Sequence, residues 1–185
     1  MGVLSKYALK LVGSYLTQLY INPKQTKSIT SCILCSLANY VSQHMAHGRV
    51  LNSDTLVAYG LFGLLFGGLV PHYFYKIVND FLAENSKSPL IQLFLIERLF
   101  FMPAFTFFSL YTLSRLEGRA HRYSFDNASV TFPSVAQANF KYLTLLQFIN
   151  IYFVPPVLRV FVSNLIAFFW IIILSYLRQK KKKQQ

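Results

Sequence analysis

Gln147, Asn150 and Arg159 stand inside an apolar stretch, QFINIYFVPPVLR, that also holds the pair Pro155-Pro156. Amides donate and accept hydrogen bonds, and a guanidinium donates them, but neither is a nucleophile or a proton shuttle near neutral pH. At membrane depth such groups face a bundle interior or a water-filled path. Their chemistry is therefore solute contact or assembly. A second set is Glu97-Arg98, near the middle of another apolar run. Each charge costs about 2.5–3.5 kcal/mol at a bilayer centre on insertion scales. Neighbouring helical residues point about 100° apart and do not face each other. Partners on other helices are expected, with Lys76, Asp80 and Arg159 as candidates. A third set, Ser28, Cys32, Cys35, Asn39 and Ser42, steps by 4, 3, 4 and 3 residues and so shares one helix face. Gln43 adjoins it, and His72 and Asn164 complete the candidate polar path or internal polar network.

Catalytic and metal chemistry find little support. Cys32-x-x-Cys35 and His44-x-x-His47 superficially look like a zinc tetrad. On one continuous helix the two pairs sit about 13 Å apart, whereas zinc ligands converge to about 2.0–2.3 Å from one ion. No nucleophile elbow or phosphate loop is present. The six acidic residues form no evident acid/base couple, and His72 and His121 are isolated. No enzyme activity, metal or cofactor is expected. The net charge of +12 raises nucleic acid as a partner, but the basic residues flank apolar runs or cluster at Arg178–Lys183. They form no stripe between stacking aromatics, and beside anionic lipid headgroups they have an ordinary role.

The elements that must position these residues are helices in a membrane. Hydrophobic residues make up 54% of the 185 residues and charged ones 13%, against about 25% charged in soluble domains. A soluble fold of this length cannot enclose that much apolar surface. The pattern predicts an all-α integral membrane protein, one domain over 1–185, with about four transmembrane helices plus an N-terminal amphipathic helix. Residues 1–22 are the interfacial helix, with Leu4, Tyr7, Leu11, Tyr15 and Leu19 at helical spacing. Asn22-Pro23 ends it. Spans are expected at 24–46, 55–78 and 89–113. In the first, Ile29, Ile33, Leu37 and Tyr40 form the lipid side. In the second, Gly60, Gly63 and Gly67 line one face and suit close helix packing, and Pro71 is placed to kink it. Residues 114–133 read as a polar loop containing the sequon Asn127-Ala128-Ser129. A fourth helix over 134–154, with Gln137, Lys141, Thr144 and Gln147 on one face, breaks at Pro155-Pro156. It crosses as a pair with a helix over 157–177, and 178–185 is a basic tail. Basic residues then favour the side holding both termini, which places the termini in the cytosol.

Several segments, in order, resemble a known family. NFKYLTLLQFINIYFVPPVLRVFVSNLIAFFW (139–170) is its densest match. YINPKQTKSITSCILCSLANYVSQ (20–43) resembles the family's opening Pro/Thr…Gln segment. YGLFGLLFGGLVPHYFY (59–75) resembles its Gly-rich, His-aromatic-Tyr segment, and ERLFFMPAF (97–105) and LEGR (116–119) its third-span and loop motifs. This is the family of peroxisomal membrane proteins that also has an inner-mitochondrial branch and a stress-induced yeast member. The chain departs where Gly68 is followed by Leu69 instead of the family's proline, and Phe132 and Phe140 stand where the family has tryptophans. The resemblance implies a peroxisomal membrane channel that passes small water-soluble metabolites with little selectivity, as a homo-oligomer. The residues themselves leave open a non-conducting membrane scaffold or biogenesis protein, and a location in the mitochondrial inner membrane or endoplasmic reticulum.

Overall fold

The computed structural model describes residues 3–47, 52–85 and 88–182, and every regular element among them is helical. α1 (Val3–Ile21) and α2 (Pro23–His47) are separated by Asn22 alone. Pro23 pushes the residue before it out of the helical region. The ladder resumes at once, with the Thr26 amide donating to the Asn22 carbonyl and the Thr26 hydroxyl reaching the Asn22 and Gln18 carbonyls. The side chains of Leu4, Tyr7 and Leu11, three of the five on which the amphipathic reading rests, lie outside the described residues, as do those of the basic tail; Leu19 is buried and Tyr15 half-buried.

α3 (Ser53–Phe62) continues through a π turn, Gly63–Gly67, into α4 (Leu69–Asn85). α5 (Pro89–Ile96) likewise passes through a π turn, Glu97–Phe101, into α6 (Met102–Leu116). Among the described residues, Ser53–Ala83 and Pro89–Leu116, of 31 and 28 residues, are the two helices long and apolar enough to cross a membrane. The irregularity expected at Pro71 is displaced backwards into the π turn. A helical proline crowds the carbonyl four residues earlier and cannot donate to it. For Pro71 that carbonyl belongs to Gly67, and for Pro103 to Leu99, both inside π turns. The widened turn takes up the misfit. Aromatic rings join the two long helices: Phe74 stacks on Phe101 at 4.0 Å, Phe101 on Phe105 at 5.3 Å, and Phe62 lies 6.1 Å from Phe105.

The polar loop expected over 114–133 is instead mostly helix. After a turn at Gly118, whose φ of 81° favours glycine, α7 (His121–Ala138) folds back on α6. Ser124, Ala128 and Ala136 are its buried residues. They are spaced by multiples of four but are small, so the helix shows no hydrophobic stripe. Ser124 donates to Ser114 across the hairpin at 3.0 Å, and Phe107 meets Phe125 and Phe132, each at 5.8 Å. The outer face, Arg122, Asp126, Asn127 and Ser129, is exposed and gives the segment its loop-like composition.

α7 runs through a third π turn, Asn139–Leu143, into α8 (Thr144–Phe153). α9 (Arg159–Lys182) follows the Pro155-Pro156 break and packs along α2 and against α8. The single polar face expected from Gln137 to Gln147 is split by the π turn. Gln137 and Lys141 are exposed, whereas Gln147 is buried. α2 puts Ser28, Ser31 and Asn39 inward and leaves Ile29, Ile33, Leu37 and Tyr40 outward.

Candidate functional site

The site is built around the helix break. α8 stops because Val154 is extended and two prolines follow, leaving carbonyls at the helix end without intrahelical partners. Arg159 supplies the donors: its Nη2 reaches the Ile151 carbonyl at 2.9 Å and its Nε the Val154 carbonyl at 3.2 Å. A cation at a helix C-terminus also complements the helix dipole. One α8 turn deeper, Asn150 Nδ2 donates to Ser163 Oγ at 2.9 Å, the Arg159 carbonyl at 3.2 Å and Gln147 Oε1 at 3.4 Å. Gln147 Nε2 donates to the Tyr75 hydroxyl at 2.5 Å. The chain Tyr75–Gln147–Asn150–Ser163 thus ties α4, α8 and α9 together. Its polar atoms are walled by a core of Tyr75, Leu82, Leu93, Ile151 and Val160.

Glu97 and Arg98 lie in the π turn that follows α5, the helix packed against α4 and α8. They correct the expectation of partners on other helices. Arg98 Nε and Nη2 donate to Glu97 Oε2 and Oε1 at 2.6 and 3.0 Å, a bidentate pair. Their Cα–Cβ bonds diverge, but the two side chains are long enough to fold their ends together. Both residues are buried, Glu97 4% and Arg98 7% exposed. Among the described residues, Lys76, Asp80 and Arg159 form no ion pair with them.

This core has hydrogen-bonding capacity that the protein does not use. Arg98 Nη1, Arg159 Nη1, Asn150 Oδ1 and Asn164 Nδ2 are buried and make no hydrogen bond among the described residues. Most buried polar atoms in folded proteins are paired. Four open ones within one small bundle mark a region suited to water or a polar solute.

The polar face of α2 does different work. Asn164 Oδ1 accepts from Ser31 Oγ at 3.5 Å, linking α9 to a seam where Ser31 and Cys32 press against the glycines of α3 and the first π turn, and Ser28 against Gly68 just after it. A Cβ on Gly63 would lie 2.5 Å from the Ser31 carbonyl, one on Gly67 2.5 Å from Ser31 Oγ, and one on Gly60 2.9 Å from Ser36 Oγ. Asn39 and Gln43 serve the far end: Gln43 Nε2 donates to Asn39 Oδ1 at 2.6 Å and to Thr55 Oγ1 at 3.0 Å, and its Oε1 accepts from the Asn52 amide. Asn52 in turn caps α3 by accepting from the Asp54 and Thr55 amides.

Beside the core lies a pocket of about 330 Å³ whose lining includes Lys27, His72, Tyr75, Lys76, Asp80 and Pro156. Tyr75 belongs to both places: its ring borders the pocket and its hydroxyl holds Gln147. Lys27 Nζ donates to His72 Nδ1 at 3.1 Å. Tyr75, Ser163 and Lys27 were not legible as site residues in the sequence. Tyr75 and Gln147 are 72 positions apart, and only their polarity within apolar runs hints at a meeting. Lys27 sits one residue before the polar face of α2, where it looks like the basic flank of a span.

The sequence comparisons find membrane proteins. The profile of the Mpv17 / PMP22 family matches residues 114–175, the part holding α7, α8 and most of α9. The bovine protein Peroxisomal membrane protein 2 is 29% identical over 92% of this chain and 89% of its own length. PXMP2/4 family protein 3 of Dictyostelium discoideum is 32% identical over 91% of each chain. Mitochondrial inner membrane protein Mpv17 of Caenorhabditis elegans is 22% identical over 88% of this chain and 90% of its own. No solved structure matches. The chain belongs to the Mpv17 / PMP22 family, membrane proteins with peroxisomal and mitochondrial members.

Proposed function

We propose that this protein is a channel for small water-soluble metabolites in the peroxisomal membrane, acting as a homo-oligomer and without catalytic activity or cofactor. The observation that carries the reading is the buried polar core. Tyr75, Gln147, Asn150, Arg159, Glu97 and Arg98 are gathered inside a bundle whose outer face is apolar, with four polar atoms left unpaired. A membrane anchor gains nothing from such a core and bears its desolvation cost. In this reading α2, Ser53–Ala83, Pro89–Leu116 and the α8–α9 pair make four crossings, and the pocket at Lys27 is a vestibule. The peroxisomal location follows the bovine relative, whose identity to this chain, 29%, exceeds the 22% of the mitochondrial one.

A second reading, a non-conducting scaffold, is favoured by one observation: Arg159 is spent on capping α8, a purely structural task. Planar bilayers separate the two. The channel reading expects discrete conductance steps from the pure protein in several lipid mixtures. Bilayers that stay sealed in all of them would overturn it. Imaging of the untagged protein against organelle markers tests the location, and a mitochondrial or reticular pattern refutes the peroxisomal assignment.

A further inference from the structure

We propose that the pocket between α2 and α4 is an oxyanion-binding site, one that takes a phosphate or carboxylate group carried by a small solute or by a lipid headgroup. The key residue is Lys27, which is only 6% exposed. A buried ammonium ordinarily lies against a carboxylate. Here its hydrogen-bond partner is an imidazole, His72 Nδ1 at 3.1 Å. The ammonium donates, so Nδ1 accepts, and His72 is neutral with its hydrogen on Nε2. The contact satisfies one hydrogen of Lys27 and none of its charge. Among the described residues the Glu97–Arg98 pair is the one salt bridge. Lys27 and Lys76 therefore share the pocket with no carboxylate paired to either, although Asp80 lies in the same lining.

The positive charge converges further. Lys24, held over the Tyr73 ring at 5.2 Å, stands one turn before Lys27. Lys76 stands one helical turn beyond His72 on α4, in the same lining. The lining offers ammonium hydrogens from Lys27 and Lys76, the amide of Asn79 and the second ring nitrogen of His72. Apart from the single Asp80 carboxylate, its charged groups favour an acceptor-rich ligand. Its volume of about 330 Å³ holds a phosphate group with attached waters. A metal cation is the wrong ligand for such a lining, and an apolar one leaves Lys27 uncompensated.

The site adjoins the polar core proposed as a pathway, yet binding does not require conduction, and the two are read separately. Full-length protein in dodecyl maltoside micelles, which carry no phosphate, is labelled with an amine-reactive reagent, and modification of Lys27 is followed by mass spectrometry. Inorganic phosphate is the soluble probe, and micelles doped with phosphatidate are the lipid probe. Saturable protection of Lys27 by phosphate identifies a soluble oxyanion. Protection by phosphatidate alone identifies a headgroup. Either supports the site. Lys76→Gln, at an exposed position, should weaken protection about tenfold, the effect of losing one hydrogen bond to a charged group. Lys27 labelling that neither probe alters, or protection unchanged in Lys76→Gln, overturns the proposal. Conductance recorded from the same purified protein in planar bilayers keeps the readings apart: sealed bilayers with Lys27 protected refute the channel and leave the site standing.

Discussion

Breaking the Glu97–Arg98 pair tests whether the charge inside this bundle is self-contained. Arg98→Met removes two hydrogen bonds, at 2.6 and 3.0 Å, and leaves a carboxylate 4% exposed with no cation bonded to it. A hydrogen bond to a charged group contributes about 1.5–3 kcal/mol, and removing one member of a buried pair costs about 3–5 kcal/mol in total. The expected loss is about 3–5 kcal/mol, moderated because Arg98 Nη1, already unpaired, is removed as well. Glu97→Gln should cost somewhat less than that, since the amide keeps one acceptor for the guanidinium.

The double change Glu97→Gln/Arg98→Met carries the decision. Replacing a whole buried pair by groups of similar volume is often close to neutral. If the two residues serve each other, the double variant should recover most of the stability lost by Arg98→Met, with a coupling energy of about 3 kcal/mol. Reversible unfolding in mixed micelles of mild detergent and dodecyl sulfate supplies all four corners of the cycle. Coupling below about 0.5 kcal/mol, the range of independent sites, would refute the self-contained pair. It would return the charges to partners on other helices, as their divergent directions along an ideal helix first suggest.

Other changes probe the seam, the cap and the core. Gly63→Ala puts a Cβ 2.5 Å from the Ser31 carbonyl and 2.8 Å from Cys32 Cα, all backbone, so α2 must move. A cost of about 1–3 kcal/mol is expected, while Gly13→Ala, with nothing within 4 Å, should gain about 0.5–1 kcal/mol; equal effects in the same unfolding assay would refute the seam. Asn52→Ala removes the cap on the Asp54 and Thr55 amides and should cost about 1 kcal/mol by the same assay. Tyr75→Phe leaves Gln147 Nε2 without its acceptor and should cost about 1–3 kcal/mol; the channel reading further expects a changed unitary conductance in bilayers, because Tyr75 stands between the pocket and the polar core.

What the sequence reveals depends on how each feature is encoded. The polar and apolar sides of α2 are legible because serine, asparagine and isoleucine recur at 3.6-residue spacing over an uninterrupted helix. The break at Pro155-Pro156 is legible because proline acts locally. α7 is not, since Ser124, Ala128 and Ala136 bury themselves by being small, and a stripe of small residues has no hydrophobic signal. The ion pair is misread for a different cause. Ideal helix geometry places the Cβ atoms of Glu97 and Arg98 well, but it says little of where three or four further bonds carry their charged ends. Lys27 is hidden by its type: a lysine near the end of an apolar run normally extends to the interface, and only the packed structure shows this one turned inward to His72.

The polar core owes its assembly to the places where helical periodicity fails. A π turn adds one residue to a helix and rotates everything beyond it by about 100°. The turn at Asn139–Leu143 lets α7 keep Gln137 outside while α8 brings Gln147 and Asn150 inside. The turn at Glu97–Phe101 holds Glu97 and Arg98 both buried, although neighbours on a regular helix point about 100° apart. The turn at Gly63–Gly67 sets the glycine seam before the stretch carrying His72 and Tyr75. Three helices thus change phase, and the residues that meet are ones no single period could have placed on a common face. A core assembled in this way is held by register as much as by contact energy. That is why Gln147, buried and far in sequence from Tyr75, still finds its hydroxyl at 2.5 Å.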